Sequence, residues 1–159
     1  MQIKVAILTI SDRCHQGRAA DASGKVLRDL AQRQGWLVAD SAIVPDKKKK
    51  IAAAVRRWCD KKDILVVVTT GGTGLGPRDL TPEALRPLFD REVAGFGELM
   101  RMEGLKKTPM AALSRSTAGT RGESLIVCLP GSPKGASESF AAVAGLIPHV
   151  LSIIKGGGH

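Results

Sequence analysis

Four glycines in six residues, Gly71, Gly72, Gly74 and Gly76, follow an apolar β-branched run in VVVTTGGTGLGPRDLTPEAL, with Arg78 and Asp79 just behind them. Glycine admits positive φ and lets the backbone approach a ligand without a β-carbon in the way. Consecutive amide N–H groups in such a turn can form a concavity for an anion. The spacing fits neither G-x-x-x-x-G-K-[ST] nor G-x-G-x-x-G, so the P-loop and dinucleotide fingerprints both fail. A purely structural strand-to-helix turn therefore stands as the second reading of these glycines. Asp79 adds a constraint. A carboxylate beside a bound phosphate is unfavourable unless a cation lies between them, and Asp46, in IVPD, raises the same point. Two carboxylates next to a glycine loop suit Mg²⁺, which keeps water and phosphate oxygens as ligands and needs only one or two from protein. Each also has a plainer reading, Asp46 as a helix N-cap and Asp79 as a turn acid.

Arg13, Arg78, Arg115 and Lys134 are placed to meet phosphate charge. Lys47 to Lys50 crowd a helix start, where the macrodipole disfavours cations, and read either as a solvated face or as an attractor for polyphosphate. His15, His149 and His159 are the only histidines, and none accompanies a serine in a hydrolase pattern. A reaction that needs a strong general base is poorly served. Phosphoryl or nucleotidyl transfer to a ready-made anion needs none, because positioning and charge neutralisation carry it.

These residues need elements to hold them. IKVAILTI (3–10) is a short apolar run, read as a strand buried on both faces. After the polar loop that holds Ser11, Asp12 and Arg13, the residues Val26, Leu27, Leu30 and Ala31 recur at helical spacing, with Ser23 as expected N-cap and Gly35 as stop. WLVADSAIV is a weaker strand that ends at Pro45-Asp46; Ile51, Val55, Trp58 and Cys59 then share a helical face. DILVVVTT is the strongest strand and runs into the glycines. Thr81-Pro82-Glu83 reads as N-cap, proline in the first turn and an acid near the helix N-terminus. Residues 96–107 predict another helix, and SLIVCLP another strand. Phe140, Val143, Ile147, Leu151 and Ile154 make a closing apolar stripe that Pro148 kinks or divides. Strands alternating with helices imply a mostly parallel sheet covered on both faces. Ligands of such folds bind beyond the carboxyl ends of the strands, so SDR, PD, GGTGLGPRD and PGSPKG should gather on one rim.

With 159 residues the chain has room for one domain and its core, expected over 1–155 with a frayed glycine tail at 156–159. A net charge of +9 permits nucleic acid, anionic membranes or polyphosphates as partners. Only five aromatics are present, too few for a stacking platform, so nucleic acid is not expected. Cys14, Cys59 and Cys128 are far apart and odd in number, which suggests neither disulfides nor a zinc site, and a cytoplasmic setting follows. VAILTI is too short for a membrane span and has no cleavage pattern after it, so no membrane partner is expected either.

Taken together, AILTISDR, IVPD, TTGGTGLGPRDLTPEA and TPMAALSRSTAGTRGESLIVCLPGSPKG closely resemble the MoaB/Mog-type molybdopterin adenylyltransferases, including the corresponding domain of the eukaryotic molybdenum-cofactor insertion proteins. The resemblance runs in order along nearly the whole chain. It implies a three-layer α/β/α sandwich, a homotrimer, and a Mg²⁺-dependent reaction of ATP with molybdopterin that yields adenylyl-molybdopterin and pyrophosphate. It also implies a possible hand-over to a molybdenum insertase. Carried over by position, the family's functional aspartates match Asp46 and Asp79. Its glycine loop matches Gly71, Gly72, Thr73 and Gly74. Its pterin-side serine matches Ser114, beside Arg115, and its PG-x-P loop matches Pro130, Gly131, Ser132 and Pro133. Ser132 stands where asparagine or glutamine is common. Relatives with these motifs include catalytically silent members, so a pterin-binding or assembly module is the alternative reading.

Overall fold

The computed structural model describes residues 1–158; His159, in the expected tail, lies outside the described residues. Along the chain run β1 (Lys4–Ile10), α1 (Asp12–His15), α2 (Ala22–Arg33), β2 (Leu37–Val44), α3 (Lys48–Cys59), β3 (Val66–Thr70), α4 (Thr81–Leu85), β4 (Arg91–Glu92), α5 (Ala94–Leu105), β5 (Ala118–Arg121), β6 (Ser124–Leu129), α6 (Pro133–Val143) and α7 (Ile147–Ile154). The six strands form one sheet in the order β2-β1-β3-β6-β5-β4. The first four are parallel, while β5 and β4 add an antiparallel edge. Those two edge strands carry no sequence signal: β4 is two residues long, and β5 reads Ala-Gly-Thr-Arg.

Alternation along the strands divides the core in two. Val5, Ile7, Val66, Val68, Leu125 and Val127 point to the face covered by α2, α5, α6 and α7, where Leu27, Phe96, Phe140, Ile147 and Leu151 pack on them. Ala6, Leu8, Val67, Ile126 and Cys128 point to the face covered by α3 and α4, against Ile51, Val55, Trp58 and Leu85. The result is the expected three-layer α/β/α sandwich. Trp58 is completely buried and its indole N–H donates to Asp40 Oδ2 at 2.8 Å, which satisfies the one polar atom of the largest side chain in that layer.

The residues 133–154 have the length and hydropathy of a membrane span. Their apolar side chains Phe140, Val143, Ile147 and Leu151 are spent on the sheet, and a 3₁₀ turn at 144–146 with Pro148 behind it divides the run into α6 and α7. Gly156, at φ +88°, and Gly157 then close α7 by donating their N–H groups to Ile153 O and Ser152 O, the pattern of a Schellman cap.

Two capping expectations are corrected. Asp21, not Ser23, caps α2 by accepting from Gly24 N, and Ser23 lies buried inside the first turn. Leu80, not Thr81, precedes α4; the Thr81 hydroxyl is instead committed to Gly71 O at 2.8 Å. Gly35 does end α2, at φ +79°.

Candidate active site

Register places Ile10 beside Val44, and Thr70 beside Leu129, so β1, β2, β3 and β6 all end on one rim. The four loops beyond them meet there as expected, and hydrogen bonds tie them to one another. Gly71 N donates to Leu129 O at 3.1 Å and the Thr70 hydroxyl to Pro130 O at 2.7 Å. Gly131 lies so near that a β-carbon on it would sit 3.2 Å from Gly71 Cα. The glycine loop and the Pro130–Gly131 loop therefore touch backbone to backbone.

Asp12 and Asp46 form a reciprocal clasp. Asp12 N donates to Asp46 Oδ2 at 2.9 Å, and Asp46 N donates to Asp12 Oδ1 at 3.0 Å. Arg78, reaching over from the glycine loop, closes a fork on the same Asp12 carboxylate at 2.8 to 3.0 Å. Three loops are thus locked through one side chain. Asp46 is not a helix cap; Lys47 occupies that position and makes no side-chain capping bond. Burial pushes the Asp46 carboxyl above its ordinary pKa, against the Asp12 N–H that favours the charged form, while the neighbouring Asp12 and Asp79 charges push the same way as burial. Asp12 goes the other way, held low chiefly by the Asp46 backbone N–H and further by Arg78.

Asp79 accepts from Gly76 N through Oδ2 at 2.8 Å. The remaining oxygens, Asp46 Oδ1 and Asp79 Oδ1, take no hydrogen bond among the described residues. The glycines have separate uses. Gly71 (φ +107°) and Gly72 (φ +69°) take a left-handed backbone against Ile10 O and Thr81 respectively, whereas Gly74 and Gly76 leave room for the Asp79 carboxylate. Thr73 is buried, and its carbonyl accepts from Arg115 N at 2.9 Å.

Arg115 braces this loop from the inside. Its guanidinium donates to Gly74 O and Asp79 O, each at 2.8 Å, and pairs with Glu83. That pairing is the main reason the Glu83 carboxyl lies below its usual range. Ser114, one residue earlier, is half-buried and donates to Ser116 Oγ at 3.0 Å, while Arg101 holds the Ser114 and Ser116 carbonyls. Ser114 and Pro130 line a mainly apolar cleft of about 220 Å³ with Met100 and Met110. A smaller polar concavity of about 130 Å³ lies between Ser11, Ser23, Thr70 and Gly131. Ser11 and Ser132 are N-caps of α1 and α6, accepting from Cys14 N and Gly135 N. Arg13 and Lys134 are exposed on the same rim and make no ion pair among the described residues. Arg101 is a support that the sequence did not single out, and Thr81 and Glu83, read there only as helix-start residues, support the site through Gly71 O and Arg115.

A family profile described as "Probable molybdopterin binding domain" matches residues 6–149, which spans every loop of this rim. The chain belongs to this molybdenum-cofactor family. Among its relatives, the Drosophila melanogaster molybdenum cofactor synthesis protein cinnamon is 42% identical over 156 residues, 96% of this chain and 26% of that protein. The chain therefore spans about a quarter of that relative. A Helicobacter pylori protein named molybdopterin adenylyltransferase is 41% identical, with 97% of this chain and 89% of that one covered. The crystal structure of the molybdopterin biosynthesis enzyme MoaB from Thermus thermophilus superposes with a TM-score of 0.91 at 49% identity, over 98% of each chain. The cleft at Ser114 and Pro130 adjoins the glycine loop, through the Thr70 hydroxyl on Pro130 O and Arg115 on Gly74 O.

Proposed function

We propose that the protein is a molybdopterin adenylyltransferase, transferring AMP from ATP to the terminal phosphate of molybdopterin. The observation that carries this reading is the acidic pair on the glycine-loop rim. Asp46 is half-buried with its pKa raised by burial, Asp79 is close enough to raise it further, and each keeps one oxygen free. Such a pair is unfavourable by itself and becomes favourable when a divalent cation comes in with a polyphosphate. Among the described residues no three His, Cys, Asp or Glu side chains gather into a complete metal site, which fits an ion ligated mostly by phosphate and water. Asp46 and Asp79 would hold Mg²⁺, whose charge offsets that of the phosphates during transfer.

The chain's own residues do the rest by placement. The apolar cleft beside Ser114 takes the pterin, with the serine as a polar anchor. Arg13 and Lys134 supply charge for phosphate. Arg78 and Arg115, expected to meet phosphate charge, also hold Asp12 and the glycine-loop carbonyls in place. An oxygen of the molybdopterin phosphate forms the new bond to the α-phosphorus of ATP, the bond from that phosphorus to the bridging oxygen breaks, and pyrophosphate leaves with the electron pair. The attacking oxygen is already anionic, so no base is required. The deciding experiment is to incubate the protein with molybdopterin, ATP and Mg²⁺ and to look for the adenylylated pterin and pyrophosphate. Pterin binding without either product would leave a binding module. Full turnover after rigorous chelation would remove the role given to both aspartates.

Ser114→Ala should weaken molybdopterin binding more than ATP binding, by about 0.5–1.5 kcal/mol, the usual worth of one polar contact. Titration with each ligand separately checks this; equal pterin affinity would leave the serine as a shaper of its turn through Ser116.

The functional unit in this reading is residues 1–155, acting as a homotrimer in the cytoplasm, with a molybdenum insertase as the recipient of product. Met102, Leu105, Met110 and Leu113 support self-association: they lie 48–64% exposed along α5 and the turn after it, too much apolar surface on one segment for a solvated face. Light scattering at micromolar concentration should show about three times the chain mass of 16.8 kDa, and a purely monomeric species would refute it. Three unpaired cysteines suit a reducing compartment; burial pushes the Cys59 thiol up to about 11 and Cys128 up to about 12, so neither is reactive at neutral pH.

A further inference from the structure

The positive charge of this chain is concentrated on one element. Residues 47–62 carry eight lysines and arginines and a single acid, a net +7, which leaves only +2 for all the rest of the +9 chain. All eight cations are exposed, and none makes an ion pair among the described residues. Helical spacing sets Lys49 above Arg56 and Lys50 above Arg57, on the side of α3 opposite Ile51, Val55 and Trp58, which are buried. The outward face is therefore a continuous cationic strip.

Arg56 and Arg57, in the last turn, suit the helix dipole, but the N-terminal end of the strip works against the helix. Lysines in the first turn oppose the macrodipole, no acid stands in that turn, and the N-cap Lys47 makes no side-chain capping bond. A face that only needed solvation would be served equally well by mixed charges, which would also stabilise α3. Local rules broken without compensation in the fold point to a use outside it.

We infer that the outer face of α3 is a docking surface for an acidic patch on a partner protein, seated beside the rim at Asp46. A nucleotide is too small to be the occupant. Twelve residues of helix rise about 18 Å, and charges at the far end lie beyond the screening length of about 8 Å at physiological salt, so they neither touch nor steer a nucleotide on the rim. Single-stranded nucleic acid lacks a stacking platform here, since Trp58 is wholly buried. A duplex is a long rod of uniform negative charge. Running on past the N-terminal end of α3, it would meet the rim carboxylates Asp46 and Asp79, which make no ion pair among the described residues. A cationic strip that stops at unpaired carboxylates matches a patch of limited size on a folded protein, with Asp46 and Asp79 disfavouring longer polyanions.

The test compares two variants with equal loss of net charge. Lys49, Lys50, Arg56 and Arg57 are changed to Glu in one, and Arg18, Lys25, Arg33 and Lys155, all exposed elsewhere, are changed to Glu in the other. Binding of a short labelled poly-glutamate peptide and of a short DNA duplex is followed by fluorescence anisotropy at physiological ionic strength. The α3 variant should bind the peptide at least about tenfold more weakly than wild type, the control within about twofold, and the duplex should bind more weakly than the peptide. The melting temperature of a variant with only Lys49 and Lys50 changed to Glu should be no lower than wild type, because glutamates suit a helix N-terminus, whereas Arg56 and Arg57 stand in the last turn, where the dipole favours cations. The inference is overturned if the wild type does not bind the peptide, if both variants lose binding equally, or if the duplex binds α3 as tightly as the peptide. It is also overturned if melting of the Lys49 and Lys50 variant falls, because those cations would then be serving the fold. None of these readouts involves AMP transfer, so the result stands apart from the proposed activity.

Discussion

Asp79→Asn should fold and keep the oligomeric state of the wild-type chain, still bind molybdopterin, and lose AMP transfer by at least about a hundredfold. The geometry isolates the charge. Asparagine keeps the size of the side chain and an oxygen able to accept from Gly76 N, so the glycine loop retains its hydrogen bond. What disappears is the negative charge facing the rim and with it one ligand for a cation. Charge stabilisation of this kind is commonly worth about 3 kcal/mol or more, and each 1.36 kcal/mol is tenfold in rate. Asp46→Asn gives a loss of similar size. Its amide oxygen can still accept from Asp12 N, and the substitution removes a half-buried charge that the fold disfavours, so melting should hold or rise. Single-turnover assays with both variants, alongside thermal melts, separate the outcomes. Transfer near the wild-type rate would end the metal-holding role of Asp79, and a collapsed fold would make it a structural turn acid.

The rim was legible because its determinants are local. A β-branched run ending in glycine or Pro-Asp shows where each strand stops, and parallel topology then brings the loops together whatever their distance in sequence. Asp46, Asp79 and the glycine loop were found in this way. Who holds whom was not legible. Arg78 and Arg115 carry the charge expected of phosphate ligands, and nothing local shows that their guanidinium groups are also committed to Asp12 and to Gly74 O. Those pairings span 66 and 41 residues and exist only once the strands are in register. The capping errors have a different origin. Ser23 and Thr81 are good capping residues in sequence, but Asp21 offers a stronger acceptor two positions earlier, already fixed by the Thr9 hydroxyl at 2.8 Å, and the Thr81 hydroxyl is claimed by Gly71 O. The strands β4 and β5 were invisible because pairing, of β5 with β6 and of β4 with β5, makes them strands rather than propensity.

Gly71→Ala should cost the fold about 3 kcal/mol or more, whereas Gly74→Ala should fold and lose activity. A glycine-rich loop invites the same explanation for each glycine, and the backbone shows that they differ. Gly71 sits at φ +107°, which L side chains rarely adopt, and a β-carbon there would lie 2.2 Å from Ile10 O. That oxygen belongs to a buried strand of the sheet and cannot swing aside. Strain at such a backbone position and overpacking each cost roughly 1–3 kcal/mol, a large share of the roughly 5–15 kcal/mol that holds a domain together. At about 2–4 °C per kcal/mol for a chain of this size, melting should fall on the order of 10 °C. Gly74 has no positive φ, and its nearest obstacle is Asp79 Oδ2, at 2.8 Å from a β-carbon. A carboxylate at the end of a side chain can move, so the fold accommodates alanine cheaply. The movement takes Asp79 away from its bond to Gly76 N and from the place where it faces the polyphosphate. Thermal melts and AMP-transfer assays on the two variants decide the matter. A stable, active Gly71→Ala would show that the sheet tolerates the intrusion, and an active Gly74→Ala would show that the position of the Asp79 carboxylate is not what the reaction depends on.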